Sequence, residues 1–305
     1  MSNSPTYNGN HSSRRFSGKG EQSIFLGAAS SGKLHLLDKN HDNRIIWLLF
    51  AAPVMALLFM ILPAIVELHG VGADIYRFIE PLIGIPLNFF ILVSAEVFVD
   101  YSEHERKFLF TITEKGFCSF LFTIGAALYA QGAGMHSTAI IAKDKIQDLI
   151  TENPNITSQF PAINSTLEYM ETDLEHVAGY YIYATGAAII TWAHLLAYRR
   201  QRHDEISNVI SFIAFFLGSF FYAVLLTSVA IEFPKGTLVG LIYVLALGVP
   251  LLAFMLKSGQ LFSKGRRLVP QYYTLSYGLA LIMIVIWVAV NGGFVDRRQA
   301  GWFDH

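Results

Sequence analysis

The sequence predicts an all-α membrane protein, a polytopic bundle of about seven transmembrane helices. Of its 305 residues, 53% are hydrophobic and only 15% are charged, whereas soluble domains carry about 25% charged residues. The mean hydropathy is +0.43. Several apolar runs exceed the roughly 18 residues that are needed to cross a bilayer. Because these runs are continuous rather than alternating, they favour helices over a membrane-spanning barrel.

Seven apolar runs define the predicted spans. They cover residues 45–66, 81–99, 115–138, 177–198, 208–231, 236–256 and 272–292. Residues 1–44 are rich in Ser, Asn and Gly, which is typical of a disordered tail. The bundle therefore covers residues 45–292, with its longest loop at 139–176 and a C-terminal tail at 293–305.

Positive charge predicts the orientation of the bundle. If seven spans alternate, 16 of the 22 Lys and Arg residues fall on the side of the N-terminus. Cytosolic segments carry the excess of positive charge in membrane proteins. We therefore predict a cytosolic N-terminus and tail, with the C-terminus in the lumen.

Two glycosylation sequons agree with this orientation. Asn155-Ile156-Thr157 and Asn164-Ser165-Thr166 both lie in the predicted lumenal loop 139–176. Each fits the N-glycosylation pattern, so Asn155 and Asn164 are predicted to carry glycans in a eukaryotic secretory membrane.

Charge and cysteine content limit the partners. The formal net charge of −1 does not favour nucleic acid, which leaves membrane lipids as the general surroundings. The single cysteine, Cys118, excludes a disulfide within the chain.

Small residues predict that the third and fourth spans pack together. The third span has Ala126, Ala130 and Gly134 at intervals of four residues, and Gly179, Ala184 and Ala188 follow the start of the fourth. Small residues let helix backbones approach in lipid. We expect the two spans to form a tight antiparallel hairpin.

Polar residues at the lumenal ends of the spans form the candidate site. An ionisable residue is costly inside a bilayer, so such residues mark candidate functional positions. The candidates are His136, Glu171, Asp173, Glu175, His176, Glu232 and Asn291.

Three kinds of chemistry fit this set. His136, His176 and Glu171 could bind zinc, since zinc takes imidazole and carboxylate ligands and activates water. A Glu–His pair could instead provide acid–base catalysis at the lipid headgroups. The groups could also simply pair with each other and cap helix ends, where acids suit the helix dipole. The sequence has no HExxH pattern that would favour zinc, and we favour the pairing interpretation.

The chain resembles the family of ceroid-lipofuscinosis neuronal protein six. The resemblance lies in Gly132-Ala133-Gly134-Met135-His136, in Tyr169 followed by Glu171-Thr172-Asp173-Leu174-Glu175-His176, in Glu232, and in Trp287-Val288-Ala289. The chain departs from the family pattern at Thr172, where the family has an acid, and at Ile140, where a polar residue is expected.

The resemblance implies a seven-spanning protein of the endoplasmic reticulum membrane. Such a protein is not an enzyme and needs no cofactor. It supports the transfer of lysosomal enzyme precursors toward the Golgi, as a homodimer and with another membrane protein. Two alternatives remain from the residues: a zinc-dependent lipid hydrolase of the ceramidase type, and a lipid or small-solute transporter.

Overall fold

The computed structural model describes residues 41–59, 71–99, 107–109, 111–263 and 265–301. Most of the predicted tail 1–44 lies outside these residues. Its last four residues belong to the first helix, which begins no later than His41. The end of the C-terminal tail also lies outside the described residues.

The described part of the chain is almost entirely helical. Its elements are α1 (His41–Phe59), α2 (Val71–Val93), α3 (Glu96–Val99), β1 (Lys107–Leu109), β2 (Ile112–Thr113), α4 (Glu114–Glu152), α5 (Ile156–Gln159), α6 (Ala162–Glu168), a π-helix (Tyr169–Gly179), α7 (Tyr180–Tyr198), α8 (Val209–Glu232), α9 (Gly236–Lys257) and α10 (Leu268–Val290). The two short strands form one antiparallel pair.

Five of the described helices are long and apolar enough to cross a membrane: α1, α4, α8, α9 and α10. The prediction of an all-α, multi-pass membrane bundle is therefore confirmed. The second and fourth predicted spans correspond to α2 and α7.

The predicted loop 139–176 is mostly helical. The helix that begins at Glu114 continues to Glu152 instead of stopping at the predicted residue 138. The segment beyond 138 contains an i,i+3 ion pair between Lys145 and Asp148, which supports a helix in water. The helix ends just before Asn153-Pro154 because a residue that precedes proline avoids helical geometry.

The second predicted span, 81–99, is displaced. The helix begins ten residues earlier, at Val71, and continues through Pro81 and Pro86, because membrane helices tolerate proline. It ends at Val93, where the Ser94 hydroxyl donates to the Phe90 carbonyl at 2.7 Å. That hydrogen bond competes with the helical ladder, and the short helix α3 follows.

The predicted antiparallel hairpin of the third and fourth spans is confirmed as the packing of α4 on α7. The backbones approach most closely at Gly132 and Gly186. A Cβ added to either glycine would lie 2.3 Å from a backbone nitrogen, that of Tyr183 or Tyr129. The predicted contact at Gly134 is wrong, since a Cβ there meets no described atom within 4 Å.

Polar contacts define two ends of the bundle. At the first, which we call the Glu114 end, Arg199 pairs with Glu114 at 3.0 Å and the Ser211 hydroxyl contacts Asn43 at 3.0 Å. At the second, which we call the His176 end, Lys143 pairs with Glu175 at 3.0 Å. Helix α1 begins at the Glu114 end, and α10 ends at the His176 end.

Candidate functional site

The two histidines of the predicted site meet on one tyrosine ring. The ring of His136 in α4 lies 4.6 Å from the ring of Tyr180, centroid to centroid. The ring of His176 in the π-helix lies 6.0 Å from the same ring. A Cβ built on Gly179 would lie 3.2 Å from the His136 Cβ, so the absence of a side chain there lets α4 approach.

His176 lies in a π-helix, where one of its ring nitrogens contacts the backbone. Eleven residues, Tyr169–Gly179, form this wider helix, a type that is rare and frequently found at functional sites. Within it the Nδ1 atom of His176 contacts the carbonyl oxygen of Glu171. A carbonyl only accepts, so Nδ1 carries the proton and Nε2 keeps its lone pair.

Two imidazole nitrogens of this site have no hydrogen-bond partner among the described residues. They are His136 Nδ1 and His176 Nε2, and both are buried. The nearest carboxylate oxygen of Glu175 lies 3.8 Å from His176 Nε2, which is too far for a hydrogen bond. Burial lowers the pKa of His176, so its neutral form is favoured.

Three of the predicted acids form ion pairs with Lys or Arg side chains. Glu175 pairs with Lys143 at 3.0 Å, Glu171 with Arg298 at 2.9 Å, and Glu232 with Arg297 at 2.5 Å. The ion pairs join four elements at one end of the bundle. The partners of these acids are therefore Lys and Arg side chains outside the predicted set, rather than other residues of that set.

The remaining predicted residues lie around this cluster. The Tyr180 hydroxyl faces the Glu232 carboxylate, which connects α8 to the histidines. Asp173 is exposed on the π-helix. Asn291 follows the last turn of α10, and its side chain donates to the Trp287 carbonyl at 3.0 Å.

Four residues that complete the cluster were not predicted from the sequence: Lys143, Tyr180, Arg297 and Arg298. Helical periodicity could have identified Lys143, since it follows His136 by seven residues and so lies on the same face. The two arginines required knowledge of how the C-terminal segment folds.

The segment that follows α10 forms hydrogen bonds with three helices. The Val295 carbonyl accepts from the Trp287 indole at 2.9 Å and from the Thr237 hydroxyl at 3.0 Å. The Arg297 amide donates to the Ile231 carbonyl at 2.8 Å. These bonds connect α10, α9 and α8, and they place Arg297 beside Glu232.

The three predicted zinc ligands do not converge as a group among the described residues. No group of three or more His, Cys, Asp and Glu side chains that could hold a metal ion occurs among the described residues. Glu171 pairs with Arg298, and its backbone carbonyl rather than its carboxylate contacts His176. The pair of imidazoles therefore lacks a third protein ligand within the described part of the chain.

Both predicted glycosylation residues are accessible. Asn155 precedes α5 and Asn164 lies in α6, and both are exposed.

Comparison of the chain with protein-family models, with curated proteins and with solved structures finds no match.

Proposed function

We propose that the chain is a seven-span protein of the endoplasmic reticulum membrane that supports the transfer of lysosomal enzymes and is not itself an enzyme. The resemblance to the ceroid-lipofuscinosis family suggests this role. The observation that carries it is a helical projection at the His176 end. We define this projection as residues 139–168, which include the last part of α4 together with α5 and α6.

The packing supports seven spans with termini on opposite sides. Helix α7 has 19 residues and packs along α4 from one end of the bundle to the other. The contact begins at the Glu114–Arg199 ion pair and continues to the approach of Gly179 to His136. Helix α7 therefore covers the same depth as α4, which is apolar enough to span. With α1 beginning at one end and α10 ending at the other, an odd number of crossings fits the arrangement.

The projection has the features of a docking surface for another protein. The α4 residues beyond 138 extend the helix by roughly 20 Å. Exposed apolar side chains mark the projection and the residue after it: Leu149 is 41% exposed, Phe160 59% and Tyr169 52%. A contiguous exposed apolar patch marks an interaction site, and we propose that these side chains form part of one. The sequons support a lumenal position for the same surface, on the side where enzyme precursors pass.

The contacts favour this role over lipid hydrolysis. Catalysis by a carboxylate requires a group that is available to the substrate, whereas Glu171, Glu175 and Glu232 each pair with a cation. A zinc-dependent hydrolase has less support, since the described residues lack a third ligand for the imidazoles. A homodimer and a membrane-protein partner remain part of the proposal.

A pair of phenylalanines provides the test. Phe160 lies in the projection, and Phe262, which is 92% exposed, lies beyond the end of α9 on the opposite side. Each variant, Phe160→Ser and Phe262→Ser, is expressed at equal level in a cell that lacks the wild-type protein. Co-precipitation then measures the recovery of lysosomal enzyme precursors.

We expect Phe160→Ser to lower precursor recovery several-fold and Phe262→Ser to leave it unchanged. If neither variant changes recovery, or if precursors are not recovered with the wild-type protein, the proposed function is wrong.

A further inference from the structure

A cavity of about 490 Å³ lies inside the helical bundle. Its walls come from α1, α2, α4, α7, α8, α9 and α10. Pockets of 300–1,000 Å³ are the size that holds one small organic molecule. Protein interiors are otherwise close-packed, and an unfilled space of this size leaves its walls without dispersion contacts.

Small side chains on facing helices produce this space. Ala184, Ala187 and Ala188 of α7 line one wall, and Ala52 and Ala56 of α1 line another. On the opposite face of α7, Gly186 instead brings the α4 backbone into contact. The same helix thus packs tightly on one side and leaves room on the other.

The cavity reaches the outer surface of α7. Thr185 and Trp192 line it, and both are exposed. They are seven residues apart, so they lie on one face of the helix. Because this helix lies at the depth of the membrane, that face meets lipid, and a molecule can enter sideways from the bilayer.

The dimensions fit one leaflet. The lining residues of α7 run from Tyr181 to Trp192, which is roughly 16 Å of helix. Half of a hydrocarbon core of about 30 Å is about 15 Å. Since Tyr181 lies in the first turn of α7, just after the π-helix, the cavity occupies the leaflet nearest the His176 end.

The chemistry of the wall selects an uncharged molecule. Among the described residues, those that line the cavity carry no formal charge. A charged headgroup inside would be left without a counter-charge, which is costly in a medium of low dielectric constant. The ligand must therefore be mostly apolar and neutral.

A short hydrogen-bond chain identifies the polar end of the ligand. The Tyr129 hydroxyl donates to the buried Glu80 carboxylate. The Tyr183 hydroxyl lies 2.8 Å from the Tyr129 oxygen. Because the Tyr129 proton goes to Glu80, the Tyr183 hydroxyl donates either to the Tyr129 oxygen or to Glu80 Oε1, which lies 3.5 Å away. Tyr183 lines the cavity, and in either case its oxygen keeps a lone pair that can accept from a hydroxyl donor.

We infer that the cavity binds one uncharged, hydroxyl-bearing membrane lipid, with its hydroxyl at Tyr183 and its apolar body along α7 toward Trp192. A sterol and a diacylglycerol both have this chemistry. The inference does not depend on the trafficking role and rests on a different part of the molecule.

Photolabelling of the full-length protein tests this binding. The protein in phosphatidylcholine vesicles is exposed to one of three photoactivatable lipids: a sterol, a diacylglycerol or phosphatidylserine. Ala188→Phe fills the cavity from α7. The control Ala127→Phe places the same ring on an exposed position of α4 that does not line it.

We expect saturable labelling by the sterol or the diacylglycerol, and whichever of the two labels identifies the source. Labelling falls at least about tenfold in Ala188→Phe and is unchanged in Ala127→Phe. Equal labelling by phosphatidylserine, or equal labelling of the two variants, overturns the inference. If Ala188→Phe is not monodisperse, the smaller change Ala184→Val on the same wall is scored instead.

Competition tests the role of the hydroxyl. For a sterol ligand, cholesterol displaces the probe from the wild-type protein and its methyl ether does so at least about fivefold less well, because the ether lacks a donor. For a diacylglycerol ligand, the free lipid and its 3-O-methyl ether make the same comparison. Tyr183→Phe removes this difference, while Tyr243→Phe, another tyrosine of the wall, retains it. A preference that survives Tyr183→Phe refutes the assignment of the hydroxyl.

Discussion

Gly132 of α4 and Tyr183 of α7 are in backbone contact. A Cβ on Gly132 would lie 2.3 Å from the Tyr183 nitrogen and 2.6 Å from its Cα. Real Cβ atoms do not approach so closely, and a backbone cannot move away as a side chain can. The contact therefore fixes the distance between the two helices that carry His136 and Tyr180.

Substitution of Gly132 should disrupt this pair of helices. We expect Gly132→Val to lower the free energy of unfolding by about 3 kcal/mol, because overpacking a close contact forces the helices apart. Thermal unfolding in detergent measures the effect. Gly134→Ala is the matched control, since a Cβ at Gly134 meets no described atom within 4 Å. Similar losses in both variants would contradict the contact.

The hairpin shows how much of the packing the sequence could predict. The clustering of Gly and Ala indicates that α4 and α7 meet, because small residues have this effect in lipid whatever their order. The stripe of Ala126, Ala130 and Gly134 is displaced from the observed contact. The rotation of a helix depends on all of its neighbours, and spacing in one sequence does not contain that information.

At the Glu114 end, two neighbouring arginines should differ in importance. Arg199 lies 3.0 Å from the buried Glu114 and its side chain is 23% exposed, whereas Arg200 lies 3.9 Å away and is 62% exposed. Loss of a close partner leaves a buried carboxylate poorly compensated, at a cost of about 1–3 kcal/mol. An exposed pair contributes below about 1 kcal/mol.

We therefore expect Arg199→Ala to destabilise the protein clearly and Arg200→Ala only slightly. Thermal unfolding is measured for the two arginine variants, alone and combined with Glu114→Gln. The comparison gives the interaction energy between Glu114 and each arginine. If the two variants lose the same free energy of unfolding, the shorter distance from Arg199 to Glu114 does not correspond to a stronger interaction.

Acidification should destabilise the protein through His176. Burial lowers the pKa of its imidazole in the folded state below the unfolded value of about 6.5. The unfolded chain then binds more protons as the pH falls, so stability that is present above pH 6.5 is lost below it. Lys143 and Arg298 oppose protonation, whereas Glu175 and the carbonyl of Glu171 favour it.

Thermal unfolding between pH 7.5 and 5.5 tests this dependence. The wild type should lose more stability over this range than His176→Gln, which does not titrate but retains a hydrogen-bonding side chain. His136 is present in both proteins, so its own titration contributes to both slopes. Identical slopes for the two proteins would show that His176 does not titrate in this range.

The site itself was only partly predictable. Adjacent, antiparallel spans imply that His136 and His176 approach each other, and the structure brings both rings onto Tyr180. The partners of the acids were not predictable, because Arg297 and Arg298 reach the site through hydrogen bonds of Val295 to α9 and α10 and of the Arg297 amide to α8. Periodicity describes helices, and it does not describe how a segment after a helix turns back.

Glycosylation should report the side of the membrane on which the projection lies. Asn155 and Asn164 are both exposed, so their amides are accessible to the lumenal transferase if the proposed orientation is correct. We expect the protein from a eukaryotic cell to shift in electrophoretic mobility on glycosidase treatment. Asn155→Gln and Asn164→Gln should each remove one step of the shift, and the double variant should remove all of it.

The third sequon of the chain supplies the control for this experiment. Asn10-His11-Ser12 lies in the segment that is predicted to be cytosolic, so Asn10→Gln should not alter the mobility. The two sets of sequons must behave oppositely because the proposed seven spans separate them by an odd number of crossings. A shift that depends on Asn10 but not on Asn155 or Asn164 would reverse the orientation, and with it the lumenal assignment of the projection and of Phe160.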